Sequence, residues 1–467
     1  MTAAHETSLD VRNQDRARSG LRPRPWLIAA PAILYFVAAT VLMLEEIEPF
    51  VNWYYISAWY PTILVLDAVQ AKLTGRYYLI SRPGFAVSLL GWSAVLWFFF
   101  EVVNVRVANW YYVFLPPDRT ARWLGTTISF MTVFPAIFLA ERILAARNTF
   151  AGVRWPTFGV GPRLLVGVFA AGVAFAALSL VWPRAFFPMI WGALTLLVEP
   201  LNYHVDRSRS LLADLSHGRP GRLLRFLAAG LAVGFLWELY NIESRSKWIY
   251  TVPGFENFKL FEMPLLGFLG FPVFALDCFV VYQALILLRV AIPDRPDSAA
   301  SGLRIKPARA LVTALAAAVF SLVALVSMDR WNTDSVRPRV AELWVLDDEA
   351  RASLAENGFA DIFALARAQP ATISERTGSP VAAAEEWVAA ARLATLRGIG
   401  TANARLLWHA NVKSIADLAA SNAIELSERL RAMSKRPRAA TPAKVRVWVR
   451  AARRTADGPG SAVGAGQ

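Results

Sequence analysis

Apolar residues gather along this chain in runs long enough to cross about 30 Å of hydrocarbon, separated by short polar or basic stretches. The windows cover Trp26–Leu44, then 57–71, 85–105, 123–144, 164–182, 185–205, 225–240, 261–288 and 308–328. Nine spans are expected, the second and seventh being the shortest. After residue 328 the pattern changes to an Ala- and Arg-rich segment with helical periodicity. The expected fold class is all-α: a polytopic membrane bundle followed by a soluble helical domain.

Within the apolar part a pattern occurs twice. Glu101-x-x-Asn104 precedes Trp110-x-Tyr112, and Glu238-x-x-Asn241 precedes Trp248-x-Tyr250. Upstream, Trp59 precedes Asp67 by the interval that separates Trp191 from Glu199, and downstream Phe134-Pro135 leads to Glu141 as Phe271-Pro272 leads to Asp277. Fixed-order self-similarity is the mark of duplication. The domains follow: an N-terminal segment 1–25, membrane repeats 26–144 and 164–288 joined by a linker 145–163, a loop and ninth span 289–328, a helical module 340–454 and a disordered tail 455–467. Four spans per copy insert both copies in the same direction, with Glu101 and Glu238 at equal depth.

Composition agrees with the membrane class. The chain has 467 residues, 56% of them hydrophobic, too apolar for a soluble protein of that length. Lys and Arg crowd the segment before the first span and every second loop thereafter, which predicts a cytoplasmic amino terminus in the cell membrane. Nine spans then place the C-terminal module outside. The first 25 residues lack the apolar core of a signal peptide, so the first span is expected to stay as an anchor.

The chemistry rests on the carboxylates. Ionisable groups at membrane depth cost several kcal/mol and mark function by default. Glu101 with Asn104, and Glu238 with Asn241, share a helix face at a three-residue spacing, suited to a cation, a hydroxylated head group or a shared proton. Glu262 adds a third carboxylate on the same side. Asp67, Glu199 and Asp277 lie between apolar neighbours and are expected to face the bundle interior, whereas Glu141, beside Arg142, is expected to snorkel. Gly267 and Gly270 offer a small-residue surface for helix packing. The sole cysteine, Cys278, excludes an intrachain disulfide. His5, His204, His217 and His409 lack ligand spacing, and no Walker-type glycine loop occurs. Neither a metal nor a cofactor is expected.

Two resemblances add expectations. A Trp-x-Tyr loop before a proline-bearing span, in tandem bundles with intramembrane acids, resembles the integral-membrane lycopene cyclases. Their motif pairs acids close behind a proline, where this chain has Ala136-Ile137 and Val273-Phe274, so the cyclase activity is not implied. Residues 396–407, with the turn Gly398-Ile399-Gly400, resemble the helix-hairpin-helix family, as does 412–418. That resemblance implies a backbone-phosphate grip by Gly398, Ile399, Gly400 and Arg405. The stretch Leu354–Ala366 lines up with Leu407–Ala419, so the module is expected to be a tandem pair of hairpins, with Leu406, Leu407, Ile415 and Leu418 in the core. The family also uses such pairs for protein contact. An outside location favours a protein or membrane-lipid partner over nucleic acid.

Two function classes remain for the membrane part. One is an enzyme or binding protein for a lipophilic, isoprenoid-like substrate near the paired carboxylates. The other is a transporter or scaffold, which needs a polar path joining Asp67 and Glu199 to Glu101 and Glu238. A membrane-tethered, sequence-independent nucleic-acid binder is a further alternative.

Overall fold

The computed structural model describes residues 24–252, 259–294, 306–436 and 438–456. Most of the expected N-terminal segment, with His5 and its arginines at 12, 16, 18 and 22, and nearly all of the expected tail lie outside the described residues.

The chain is helical almost throughout. The membrane part comprises α1 (Trp26–Leu44), α2 (Phe50–Thr74), α3 (Pro83–Val107), α4 (Arg119–Phe130), α5 (Val133–Ala146), α6 (Pro162–Val181), α7 (Ala193–Val205), α8 (Gly221–Glu243), α9 (Gly270–Leu287) and α10 (Pro307–Ser327). Among the described residues, eight helical segments are long and apolar enough to cross a membrane. The expected second span is the difference. With 25 residues α2 has the length, but it carries Asn52, Ser57, Thr62, Asp67 and Gln70. Ser57, Asp67 and Gln70 are buried, so this helix turns its polar groups into the bundle while packing along α1.

Two expected continuous spans are broken. Between α4 and α5, Pro135 has no N–H to offer the preceding turn. Ser93 from α3 stitches the gap, donating to the Phe130 carbonyl at 2.6 Å and accepting from the Phe134 amide at 3.0 Å. The 185–205 window breaks at Gly192, whose φ of +88° suits glycine. Asp277 holds the new helix start, accepting from the Gly192 amide at 2.9 Å and the Thr195 amide at 2.7 Å.

The aromatic loops hold the only strands among the described residues. β1 (Trp110–Val113) pairs antiparallel with β2 (Lys247–Tyr250), and β3 (Lys259–Leu260) with β4 (Met263–Pro264). The expected start of the eighth span is therefore a small hairpin. Small residues bring α8 and α9 together, but not those expected. A side chain at Gly230 would meet the Phe271 carbonyl at 2.5 Å, and one at Gly234 the Phe271 ring at 2.3 Å. Gly267 lies instead against Met263, and Gly270 touches Trp191 at ordinary contact distance.

The C-terminal part packs eight helices, α11 (Asp348–Glu356), α12 (Ile362–Arg367), α13 (Pro370–Thr377), α14 (Val381–Thr395), α15 (Gly400–His409), α16 (Ile415–Ala420), α17 (Ala423–Met433) and α18 (Pro442–Ala456). Leu407 and Leu418 lie in its core, with Leu406 and Ile415 packed partly buried against it. The module sits on the end of the bundle where β1 and β2 run, tied there by residues 332–337.

Candidate functional site

Alternation along a strand sends successive side chains to opposite faces, and the β1–β2 ribbon uses both. Trp110 and Tyr112, with Trp248 and Tyr250, face a cavity in the bundle. Tyr111, Val113 and Ile249 face the helical module and cluster with its Val447. The register pairs Trp110 with Tyr250, Tyr111 with Ile249 and Tyr112 with Trp248. A local twofold axis through the Tyr111–Ile249 pair therefore exchanges Trp110 with Trp248 and Tyr112 with Tyr250.

Both copies build the same frame. The Asn104 amide donates to the Trp110 carbonyl at 2.8 Å, and Asn241 donates to the Trp248 carbonyl at 3.0 Å. Their side-chain oxygens accept backbone amides of the same loops, Asn109 at 2.9 Å and Trp248 at 3.0 Å. Tyr112 donates its hydroxyl to Glu101 at 2.6 Å, and Tyr250 donates to Glu238 at 2.9 Å. Burial first, then the neighbouring carboxylate, pushes both phenols far above their ordinary range. They stay protonated and remain donors.

Beyond the frame the copies diverge. Glu101 Oε1 also accepts Trp97 Nε1 at 3.1 Å and Trp110 Nε1 at 3.0 Å, and Oε2 accepts Asn332 Nδ2 at 2.7 Å. Where the first copy has Trp97, four residues before the acid, the second has Gly234, and the Phe271 ring fills that space. Glu238 Oε2 has no hydrogen-bond partner, and neither has Trp248 Nε1 or Trp237 Nε1. Both carboxylates are fully buried.

The cavity has a volume of about 480 Å³, within the usual range for small-ligand sites. Trp53, Tyr55, Trp97, Trp191, Trp237 and Phe274 join the ribbon aromatics in its wall. Glu101 and Glu238 stand behind this wall and fix its hydroxyl and indole groups. The cations on the lining, Arg122 and Lys247, are engaged: Arg122 Nε donates to Asp329 at 2.8 Å, and Lys247 lies 3.7 Å from Glu262.

The remaining acids do structural work. Asp67 accepts the amides of Tyr78 at 2.5 Å, Leu79 at 3.2 Å and Ile80 at 3.1 Å. Glu199 accepts Ser210 Oγ at 2.5 Å and the Leu212 amide at 2.7 Å. Each thus holds the loop eleven to thirteen residues downstream, and Asp277 caps α7 as described. Glu141 does not snorkel: it is buried and ion-paired to Arg225 at 2.7 Å. Glu262, between β3 and β4, is fully buried, and both its oxygens accept Arg397 Nη2, at 2.7 and 2.6 Å. Among the described residues no group of His, Cys, Asp and Glu is placed to hold a metal.

Arg397 leads into the glycine turn named for phosphate contact, and that turn is occupied by the chain itself. Gly398 presses on Val113 so closely that a Cβ would stand 2.6 Å away, and its carbonyl accepts Ser335 Oγ at 2.7 Å. Gly398, Ile399 and Gly400 are all buried. Their expected phosphate grip is corrected to an intrachain docking contact, while Arg405 is exposed on α15. Beside the turn, Lys444 pairs with the buried Asp334 at 2.6 Å, and Asn403 donates to the same carboxylate at 3.0 Å.

Sequence reasoning missed the ribbon, Trp97, Asn332 and the Gly230–Gly234 contact. Signals existed for three of these: the period-two Trp-x-Tyr alternation, the Trp-against-Gly difference at one place in the repeat, and the four-residue glycine spacing. Nothing local marked Asn332. No curated protein and no solved structure matches the chain. Residues 346–455 match a family described as a domain of unknown function (DUF4332), so the C-terminal module is similar to that domain.

Proposed function

We infer that the protein binds a lipophilic, isoprenoid-like ligand in the cavity beneath the ribbon. The observation that carries this is the aromatic wall itself, drawn from both sequence copies and held by buried carboxylates and amides, around a volume suited to a small ligand. A transporter coupled through the intramembrane acids is the poorer reading, because Asp67 and Asp277 give both oxygens to loop and helix-cap groups and Glu199 holds Ser210 and the Leu212 amide through one oxygen. Nucleic-acid tethering loses support with the glycine turn buried against Val113. In our reading the module braces the outer face of the ribbon. On the same reading, the basic loops favour that end lying outside the cytoplasm with the amino terminus inside, and the two copies are taken as a duplicated four-span unit.

The test is direct ligand binding. Protein purified in nanodiscs is equilibrated with geranylgeraniol, and binding is followed through quenching of the wall tryptophans. Wild type should bind saturably, and Thr126→Trp, which fills the cavity from α4, should not while keeping its thermal transition. Absence of saturable binding, or undiminished binding by a folded Thr126→Trp variant, overturns the proposal.

A further inference from the structure

The two sides of the cavity offer different chemistry to whatever occupies it. On the Glu101 side every donor is used: Trp97, Trp110 and Tyr112 all give their hydrogens to one carboxylate oxygen. On the Glu238 side a carboxylate oxygen and the indole nitrogens of Trp237 and Trp248 have no partner. Buried polar groups are nearly always satisfied, and Trp237, Trp248 and Tyr250 all belong to the cavity wall. The carboxylate oxygen needs a donor, and the indoles need an acceptor.

Resting on the binding role inferred above, we propose that the ligand is a neutral alcohol whose hydroxyl docks at the Glu238 side. A hydroxyl donates and accepts at once. It gives its hydrogen to Glu238 Oε2 and accepts from Trp248 Nε1. An ether or ketone supplies no donor, and an amine cation no acceptor for the N–H groups. An anionic head such as a diphosphate meets no cation in need of a partner, since Arg122 is held by Asp329 and Lys247 faces Glu262, which is itself neutralised by Arg397. The unpartnered atoms are closed off in the unliganded protein, so the hydroxyl reaches them by displacing the half-buried Trp248 ring. The hydrocarbon tail then lies toward Trp191 and Trp97, whose indole N–H is already given to Glu101.

The experiment compares geranylgeraniol, its methyl ether and geranylgeranyl diphosphate on the full-length protein in nanodiscs. Wild type should favour the alcohol over the ether by about tenfold, as one hydrogen bond requires, and bind the diphosphate weakest. Glu238→Met and Trp248→Phe should each bring alcohol and ether to near-equal affinity, without weakening the ether. Should Glu238→Met fail to fold, Trp248→Phe decides alone. Equal affinities in wild type, the result expected if a buried water satisfies these atoms, overturn the proposal, as does a preference for the diphosphate or an unchanged preference in a folded variant. Those outcomes leave the binding role intact, whereas failure of all three compounds to bind overturns both.

Discussion

The two copies of the Glu–Asn–Trp–Tyr pattern share a backbone frame and differ in what surrounds the carboxylate. Around Glu101 four donors converge, one of them Asn332 from the segment that leads into the helical module. Around Glu238, Tyr250 is the donor at hydrogen-bond distance, and the Trp248 indole lies near without completing a bond. Two of the three missing donors trace to residue choices, Gly234 in place of Trp97 and the lack of a second Asn332; the third, Trp248, is present but does not donate. A saturated carboxylate is an organising centre for its neighbours. An unsaturated one is available to a ligand. The frame occurs twice, and side chains outside the motif set the two carboxyl groups apart.

The sharpest way to break this comparison is to remove each carboxyl group in turn. Glu101→Met strands two indoles, a phenol and an amide in a dry interior, and should lower unfolding stability by about 3–5 kcal/mol, read from thermal melts in detergent. Glu238→Met removes an unpartnered oxygen and strands a single donor, the Tyr250 hydroxyl, so its loss should be about 1–2 kcal/mol. Equal losses would show the two sites to be alike after all.

Next comes the contact that ties the second copy's loop to the module. Arg397→Met leaves the fully buried Glu262 with Lys247 at 3.7 Å as its nearest charge. A loss of about 3 kcal/mol is expected, with faster proteolysis between membrane part and module. Unchanged cleavage would mean that Gly398 against Val113 suffices to dock the module.

The shared frame makes the opposite kind of prediction. Asn104→Ala and Asn241→Ala each remove a side chain that donates to one loop carbonyl and accepts loop amides. Both should cost about 1–2 kcal/mol, and a difference larger than that would argue against equivalent frames.

The smallest effect concerns Glu46, between α1 and α2, outside the asymmetric pair. It accepts from Arg367 of the module at 2.8 Å and from Arg245 at 2.7 Å, and the Arg367 hydrogen bond first, outweighing partial burial, holds its pKa below the ordinary glutamate value. A lowered folded pKa means that the contribution is present above the unfolded value and is lost as pH falls through the folded one. Because the pair is part-exposed, the change should remain under about 1 kcal/mol. Glu46→Gln should abolish that acid-dependent part of the melting curve and leave the asymmetry untouched.

Much of this was legible in the residues. The apolar windows located the spans because lipid leaves helices as the economical way to satisfy the backbone, and the ordered repeats exposed Glu101 and Glu238 together. The partners of the acids were less legible. Asp67 and Glu199 look like ion-path residues until the loops that fold back onto them are seen, since a buried carboxylate reads the same in sequence whether it serves a ligand or a backbone amide. The ribbon hid inside loops that read as interfacial anchors, because four residues of alternation are too few to outweigh their aromatic character. Gly398 fitted a phosphate-binding turn for the same local reason that it fits Val113: a residue without a side chain admits whatever approaches.

Asn332 also sets an order of events. It lies 231 residues beyond the carboxylate it completes, and residues 333 and 336 bridge the outer edge of β1 at Tyr112 and Leu115. Chains emerge from the ribosome amino terminus first. Throughout synthesis of everything between, Glu101 waits in the bilayer one donor short and the ribbon edge stands open to pairing with other strands. Only when the last membrane helix has threaded and the chain turns back does the first copy acquire its finished shape, so the earliest-made half of the site is the last to mature.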